Sequence, residues 1–232
     1  MRGHKYSTHK MLGRISKFII GLILIPIVIG ITIAFFENLT GIGGARSAGS
    51  RIFLWGVVSY VVLHLFLHKP RYLYTVGHEL MHVFATWMTG GGVKSFNVSK
   101  EGGSVGTTKS NFFINLSPYF VPTYTLIISL LYFVIPFFFD IPNLKNVYLF
   151  SAGFTLSLHL IFTAEVLKVQ QPDILQTGYL FSLVTIYIIN LLLVAFLVCI
   201  LFEGVTFENF FYSTYLKSKS IYTSIFKQLF FL

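Results

Sequence analysis

Two histidines four residues apart, with a glutamate directly after the first, stand in the run His78-Glu79-Leu80-Met81-His82. On a helix this spacing stacks both imidazoles on one face about one turn apart, so two nitrogen donors can converge on one metal ion. Zinc in a catalytic site takes three protein ligands and keeps one position open, and water bound there is acidified to a pKa of about 7. Glu79, next to the first imidazole, is placed to take a proton from that water and pass it to a leaving amine. With 7 His and 6 Glu in 232 residues, roughly half a percent of shuffled sequences would carry the three fixed positions, so composition does not account for the motif. The plain alternative is a histidine pair satisfied by interhelical hydrogen bonds with Glu79 as partner. Two imidazoles and a carboxylate are costly to bury in apolar surroundings for that purpose alone.

Three residues compete to complete such a site: Asp173, Glu165 and His159, each a standard zinc ligand. Each also has a structural reading. Asp173 follows Pro172 and suits a turn that caps the next helix. Glu165 pairs with Lys168 at a spacing of three. His159 lies deeper and suits a hydrogen bond to a neighbouring helix. The single Cys199 excludes a Cys-rich zinc module and an internal disulfide framework. His64 and His68, near Lys69 and Arg71, and His4 and His9 in the basic N-terminus read as interface residues.

The elements that must position these groups are apolar. Of the 232 residues 55% are hydrophobic and 11% charged, about half the charged share of a soluble domain, so the predicted fold is an all-α integral membrane protein. The long apolar runs are Phe18 to Phe36, Ile52 to Leu67, Tyr72 to Thr89, Phe112 to Phe139, Val147 to Val169 and Gly178 to Phe202. Each is near the length that crosses a hydrocarbon core of about 30 Å, which predicts six transmembrane helices. The first run follows Arg2, Lys5, Lys10, Arg14 and Lys17 like a signal peptide. It is too long for one, and Ala45-Arg46-Ser47-Ala48 lies too far downstream for cleavage, so it reads as a retained anchor.

Gly90-Gly91-Gly92 ends the third run with residues suited to a left-handed cap. Val93 to Ser99 and Ser104 to Thr108 then flank Glu101-Gly102-Gly103 as a short polar β-hairpin. Pro118 and Pro122 predict a kinked or unwound start, Asn115 to Pro122, to the fourth helix. The chain divides into a basic segment with two accessory helices, 1–71, a core, 72–202, and an aromatic and basic tail, 203–232, which suits an interfacial helix or a frayed end. The net charge of +9 gathers at the N-terminus and at the ends of apolar runs, where it meets lipid headgroups, and no nucleic-acid partner is expected.

Residues Gly77 to Asn115, and more loosely on to Gly178, resemble the site-2 protease class of intramembrane zinc metallopeptidases, the M50 family, and its M50B-like members. The likeness rests on the helix Gly77-His78-Glu79-Leu80-Met81-His82 closed by the glycine triplet, the polar hairpin, and a following helix that opens with Pro and Asn. It implies Zn2+ as cofactor and a membrane-spanning or membrane-adjacent protein segment as substrate, cut by metal-activated water in a cavity within the bilayer, with the cell membrane as location. It also implies an Asp from a Pro-rich segment as third ligand. Gln171-Pro172-Asp173-Ile174 keeps Pro and Asp but lacks the Gly after Asp, and Glu165 stands where an Asn is usual eight positions earlier. Asp173 ranks first by this position, Glu165 second and His159 third.

The hairpin edge can hold an extended peptide by main-chain pairing. Asn115 is a candidate to orient substrate carbonyls or the oxyanion, or else to cap the kinked helix. Six spans with a cytoplasmic N-terminus put 11 of the 17 Lys and Arg residues inside and would open the site toward the outer face, whereas the resemblance implies a site nearer the cytoplasm, so both faces stay open. Two other readings stay open. One is a different His-Glu-x-x-His membrane metallopeptidase with Glu165 as third ligand, and the other is a non-catalytic M50-like membrane binding protein or transporter.

Overall fold

The computed structural model describes residues 2–42, 47–67, 69–99 and 101–230, with side chains from Met11 onward. His68 and the Ala45-Arg46 pair lie outside these residues, as do the side chains of His4 and His9. The chain is mostly helical with one two-stranded antiparallel hairpin. The elements are α1 (Arg2–Thr40), α2 (Ala48–Val62, continued by a π turn at Leu63–Leu67), α3 (Arg71–Met88), β1 (Val93–Val98), β2 (Gly103–Thr107), α4 (Phe112–Phe120), α5 (Thr123–Val134), α6 (Leu144–Val166), α7 (Pro172–Thr177), α8 (Tyr179–Leu201) and α9 (Phe207–Phe230). Contacts divide them into two compact units, Ser47–Asp173 and the pair Met1–Arg46 with Ile174–Leu232. These divisions fall after 46 and 173, whereas the segments read from sequence break at 71 and 202.

In the unit Ser47–Asp173, α2 and α6 run in the same direction and touch backbone to backbone. A Cβ on Gly56 would lie 2.0 Å from the Phe150 carbonyl oxygen, and one on Gly153 would lie 2.2 Å from that of Phe53. Paired small residues that admit close backbone approach thus supply the packing between these two helices. Antiparallel to α6 runs α5, tied to it by the Thr125 and Thr155 hydroxyls at 3.0 Å and by Ser129 to Tyr148 at 3.2 Å. Tyr74 of α3 stacks on Phe162 of α6 at 4.8 Å between ring centres, within a buried cluster that includes Tyr60 and Leu158.

The glycine triplet stops α3 as expected. Gly90 takes φ +69°, its N–H donates to the Trp87 carbonyl, and the Gly91 N–H reaches back to that of Thr86, which together satisfy two otherwise open carbonyls of the last turn. The chain then forms the β1–β2 hairpin, registered from Val98 opposite Gly103 to Val93 opposite Thr107. Asn111 caps α4 by accepting from the Ile114 N–H at 2.8 Å, so the capping role considered for Asn115 belongs to Asn111. Pro118 is held inside α4, and the break falls later, at Val121-Pro122, where α4 and α5 meet at a 75° bend.

The other unit holds α1, α8 and α9. Gly21 of α1 meets Leu180 and Phe181 of α8, and Thr32 meets the Tyr187 hydroxyl at 2.8 Å, so α1 and α8 are parallel. The tail forms α9, packed lengthwise and antiparallel on α1. Ser218 sits against Gly30, Lys217 and Ser213 reach Glu37, and the Tyr222 hydroxyl bonds the Ile23 carbonyl. Ile31, Ala34, Ala195 and Phe210 form the core of this unit.

Among the described residues, four helices are long and apolar enough to cross a membrane: Met11–Thr40, Ala48–Leu67, Leu144–Val166 and Tyr179–Leu201. The bent α4–α5 pair makes five if it is one span. The third of the six predicted runs, α3, falls short by composition because it carries polar groups along one face. Those groups point inward: Glu79, His82 and Thr86 are buried, while Phe84, Trp87 and Met88 are exposed.

Candidate metal centre

Both histidines come from one face of α3, and their rings meet edge to face with centres 5.0 Å apart. Pro172, which tolerates the first turn of a helix because its missing N–H is not needed there, starts α7 and sets Asp173 in that turn. The Asp173 Oδ2 lies 3.3 Å from His82 Nε2 and 3.9 Å from His78 Nε2. One ligand atom from each of His78, His82 and Asp173 lies within 4.8 Å of the other two, close enough to share a metal ion. Burial opposes ionisation of Asp173, yet the two imidazoles beside it hold its carboxyl well below the usual carboxylate range.

The orientation of His82 follows from a proline. Pro118 has no N–H, so the carbonyl of Ile114, four residues earlier, lacks its usual helical donor. His82 Nδ1 donates to that carbonyl at 2.8 Å. The bond makes Nδ1 a donor and leaves Nε2 as the nitrogen on the Asp173 side, the arrangement by which outer partners orient metal-ligating histidines. The Tyr119 hydroxyl, on the residue after Pro118, donates to Asp173 Oδ2 at 3.3 Å, and its ring packs edge-on against His78 at 4.9 Å.

No family model, curated protein or solved structure matches the chain. The fit of a metal therefore rests on the donors themselves. Two imidazole nitrogens and one carboxylate oxygen form a catalytic zinc donor set with one position left for water or substrate. His78 adds a second sign, since its Nδ1 is buried with no hydrogen-bond partner among the described residues, a costly state for a ring that does nothing.

Glu79 is buried and lies outside the three-ligand cluster. With His78 it lines an open cavity of about 860 Å³, whose walls also include Arg71, Tyr74, Glu101, Gly103 and Lys168. That volume falls within the range of ligand pockets. The hairpin tip thus reaches the cavity, and Gly103 lies directly against the Glu79 side chain.

The remaining candidates are placed elsewhere. Glu165 is on the cavity wall, but its carboxylate accepts from Lys69 at 2.5 Å and from His64 Nε2 at 3.1 Å. The expected Glu165–Lys168 pair is therefore replaced by partners about a hundred residues away in sequence. His64 is corrected with it: only 4% exposed, it takes the Tyr60 hydroxyl on Nδ1 and is a buried link in this network, not an interface residue. His159 is buried on α6 and borders a small void with His78, Gly77 and Pro118, outside the ligand cluster. Asn115 is buried in α4, takes the Ser110 hydroxyl at 3.3 Å, and is not among the residues lining the cavity. Sequence reasoning passed over Tyr119 and the Ile114 carbonyl; Pro118 was the available signal, since a proline inside a helix always leaves a carbonyl to be used.

Proposed function

We propose that the protein is a multi-pass membrane zinc metallopeptidase of the site-2 class, cutting membrane-spanning or membrane-adjacent protein segments. The observation that carries this reading is the convergence of His78, His82 and Asp173 beside a cavity lined by Glu79. The likeness of Gly77 to Asn115 to that class supports it from the sequence side. A zinc ion held by the three ligands would supply Lewis acidity, lowering the pKa of water and polarising the scissile carbonyl. Glu79 takes the proton of the attacking water and returns it to the leaving amine. Tyr119 and the Ile114 carbonyl hold Asp173 and His82 in register, and the hairpin tip borders the space where an extended peptide would lie. Glu165 as third ligand is not favoured, because Lys69 and His64 already occupy its carboxylate. Protein purified in detergent is expected to carry about one zinc per chain, and a His78→Ala/His82→Ala variant close to none. Equal, negligible metal in both removes the basis of the reading.

The direction of the helices bears on which face the site meets. Each bilayer crossing reverses the chain. In their respective units α1 and α8 are parallel, as are α2 and α6. An odd number of crossings therefore separates each pair. If α3 and the α4–α5 segment both crossed, four crossings would separate α1 from α8 and two would separate α2 from α6. The segment 71–137 therefore makes one net crossing: α3 and α4, antiparallel through His82 to Ile114 and Gly77 to Thr123, offset each other, and α5 completes the passage. By sequence position this count puts eight Lys and Arg residues on the N-terminal face and Arg46, Arg51 and Lys145 on the opposite one, with the three of the hairpin and the three of α9 apart. The positive-inside bias then makes the N-terminal face cytoplasmic and opens the site toward the cytoplasm, the face that the resembled family favours. In a Cys199→Ser background on intact cells, an impermeant thiol reagent should label Asp140→Cys and spare Asn97→Cys in the hairpin. The opposite labelling returns α3 to a full span.

A further inference from the structure

The hairpin turn carries two adjacent glycines with different surroundings. The Ser99 N–H donates to the Gly102 carbonyl at 2.8 Å, which closes the turn. Neither Gly102 nor Gly103 has a positive φ, so the backbone conformation does not demand glycine at either position. A Cβ on Gly102 would meet nothing within 4 Å. One on Gly103 would lie 2.5 Å from Glu79 Cγ, 2.7 Å from Oε1 and 2.8 Å from Cδ. Glycine at 103 thus lets the β2 backbone rest directly on the glutamate, and a side chain there would displace the Glu79 carboxylate from this position.

We propose that Gly103 is a positioning residue for Glu79, its bare backbone forming the seat that restricts where the carboxylate can point. A flexible glutamate has three side-chain torsions to settle, and a general base acts only within hydrogen-bond reach of the proton it takes. The tip of the hairpin removes part of that freedom from the side opposite α3. Glu79 and Gly103 also border the same cavity, so the contact lies on the wall where a substrate would be held. The catalytic half of this inference rests on the proteolytic reading above; the contact itself does not.

The test is a cycle of four proteins, with Gly102→Ala as a fifth: parent, Gly103→Ala, Glu79→Ala and the double variant, each measured for zinc content, thermal midpoint in detergent, and cleavage of a dye-quenched single-span membrane peptide. Gly103→Ala is expected to keep its zinc, to lower the midpoint by roughly 2–10 °C, and to cut kcat about 10–100-fold with KM little changed. Gly102→Ala should leave the midpoint unshifted. In the Glu79→Ala background the added methyl meets no carboxylate, so the midpoint shift from Gly103→Ala should vanish. A shift that persists without the Glu79 side chain, or one that Gly102→Ala reproduces, overturns the seat. A Gly103→Ala variant that raises KM while sparing kcat overturns the positioning role and makes Gly103 a substrate contact. Coupling between 79 and 103 with no cleavage of the single-span peptide by any of the proteins keeps the seat and counts against proteolysis instead.

Discussion

Glu79→Gln should retain zinc and fold while peptide cleavage falls by about two to four orders of magnitude. Glutamine matches glutamate in size and in hydrogen-bonding capacity but cannot accept the proton. Glu79 lies outside the ligand cluster, so the metal should stay, and the Gly103 contact accommodates either side chain. The variant should also hold uncleaved substrate, because the cavity and hairpin are unaltered. Co-expression of parent or Glu79→Gln protein with candidate single-span membrane proteins, followed by comparison of fragments and co-purifying partners, gives the answer. Equal cleavage by both, with zinc in each, would show that Glu79 is not the base.

Asp173→Ala should lose metal, and Glu165→Ala should not. Asp173 is the only carboxylate within ligand distance of both imidazoles among the described residues. Removing an outer partner of a metal site commonly costs about 10–100-fold in affinity, and removal of a direct ligand should exceed that. Glu165→Ala instead strips the His64 imidazole and the Lys69 ammonium of their common acceptor. That leaves a buried donor unsatisfied, at a cost of about 1–3 kcal/mol in stability, with the metal retained. Zinc per chain and thermal midpoint, measured side by side, separate the two outcomes. Loss of zinc from Glu165→Ala but not from Asp173→Ala would move the site to the Glu-completed class.

What could be read from sequence was what is local. The helix under His78 and His82, its glycine stop and the hairpin after it each depend on a few neighbouring residues. Asp173 was reachable through its Pro context, and the structure brings it to the histidines. Partnerships between distant elements were not legible. Lys168, three residues from Glu165, was the obvious partner on spacing alone, but Lys69 and His64 arrive from another element. Likewise Pro118 announces a spare carbonyl without saying that His82 will take it. Of the six runs, four helices, or five with the bent α4–α5 pair, are long and apolar enough to cross a membrane among the described residues, because α3 carries its polar groups along one buried face.

The unit formed by α1, α8 and α9 is built from both ends of the chain, with Ser47–Asp173 inserted between its halves. During synthesis α1 therefore emerges long before any of its partners exist. At about 5–20 residues per second, the ribosome needs on the order of ten seconds to make the intervening stretch. Through that interval Glu37 has no Lys217, and the flank of Gly30 stands open to any other helix in the membrane. A nascent chain released before α9 is made would leave this strip bare for good.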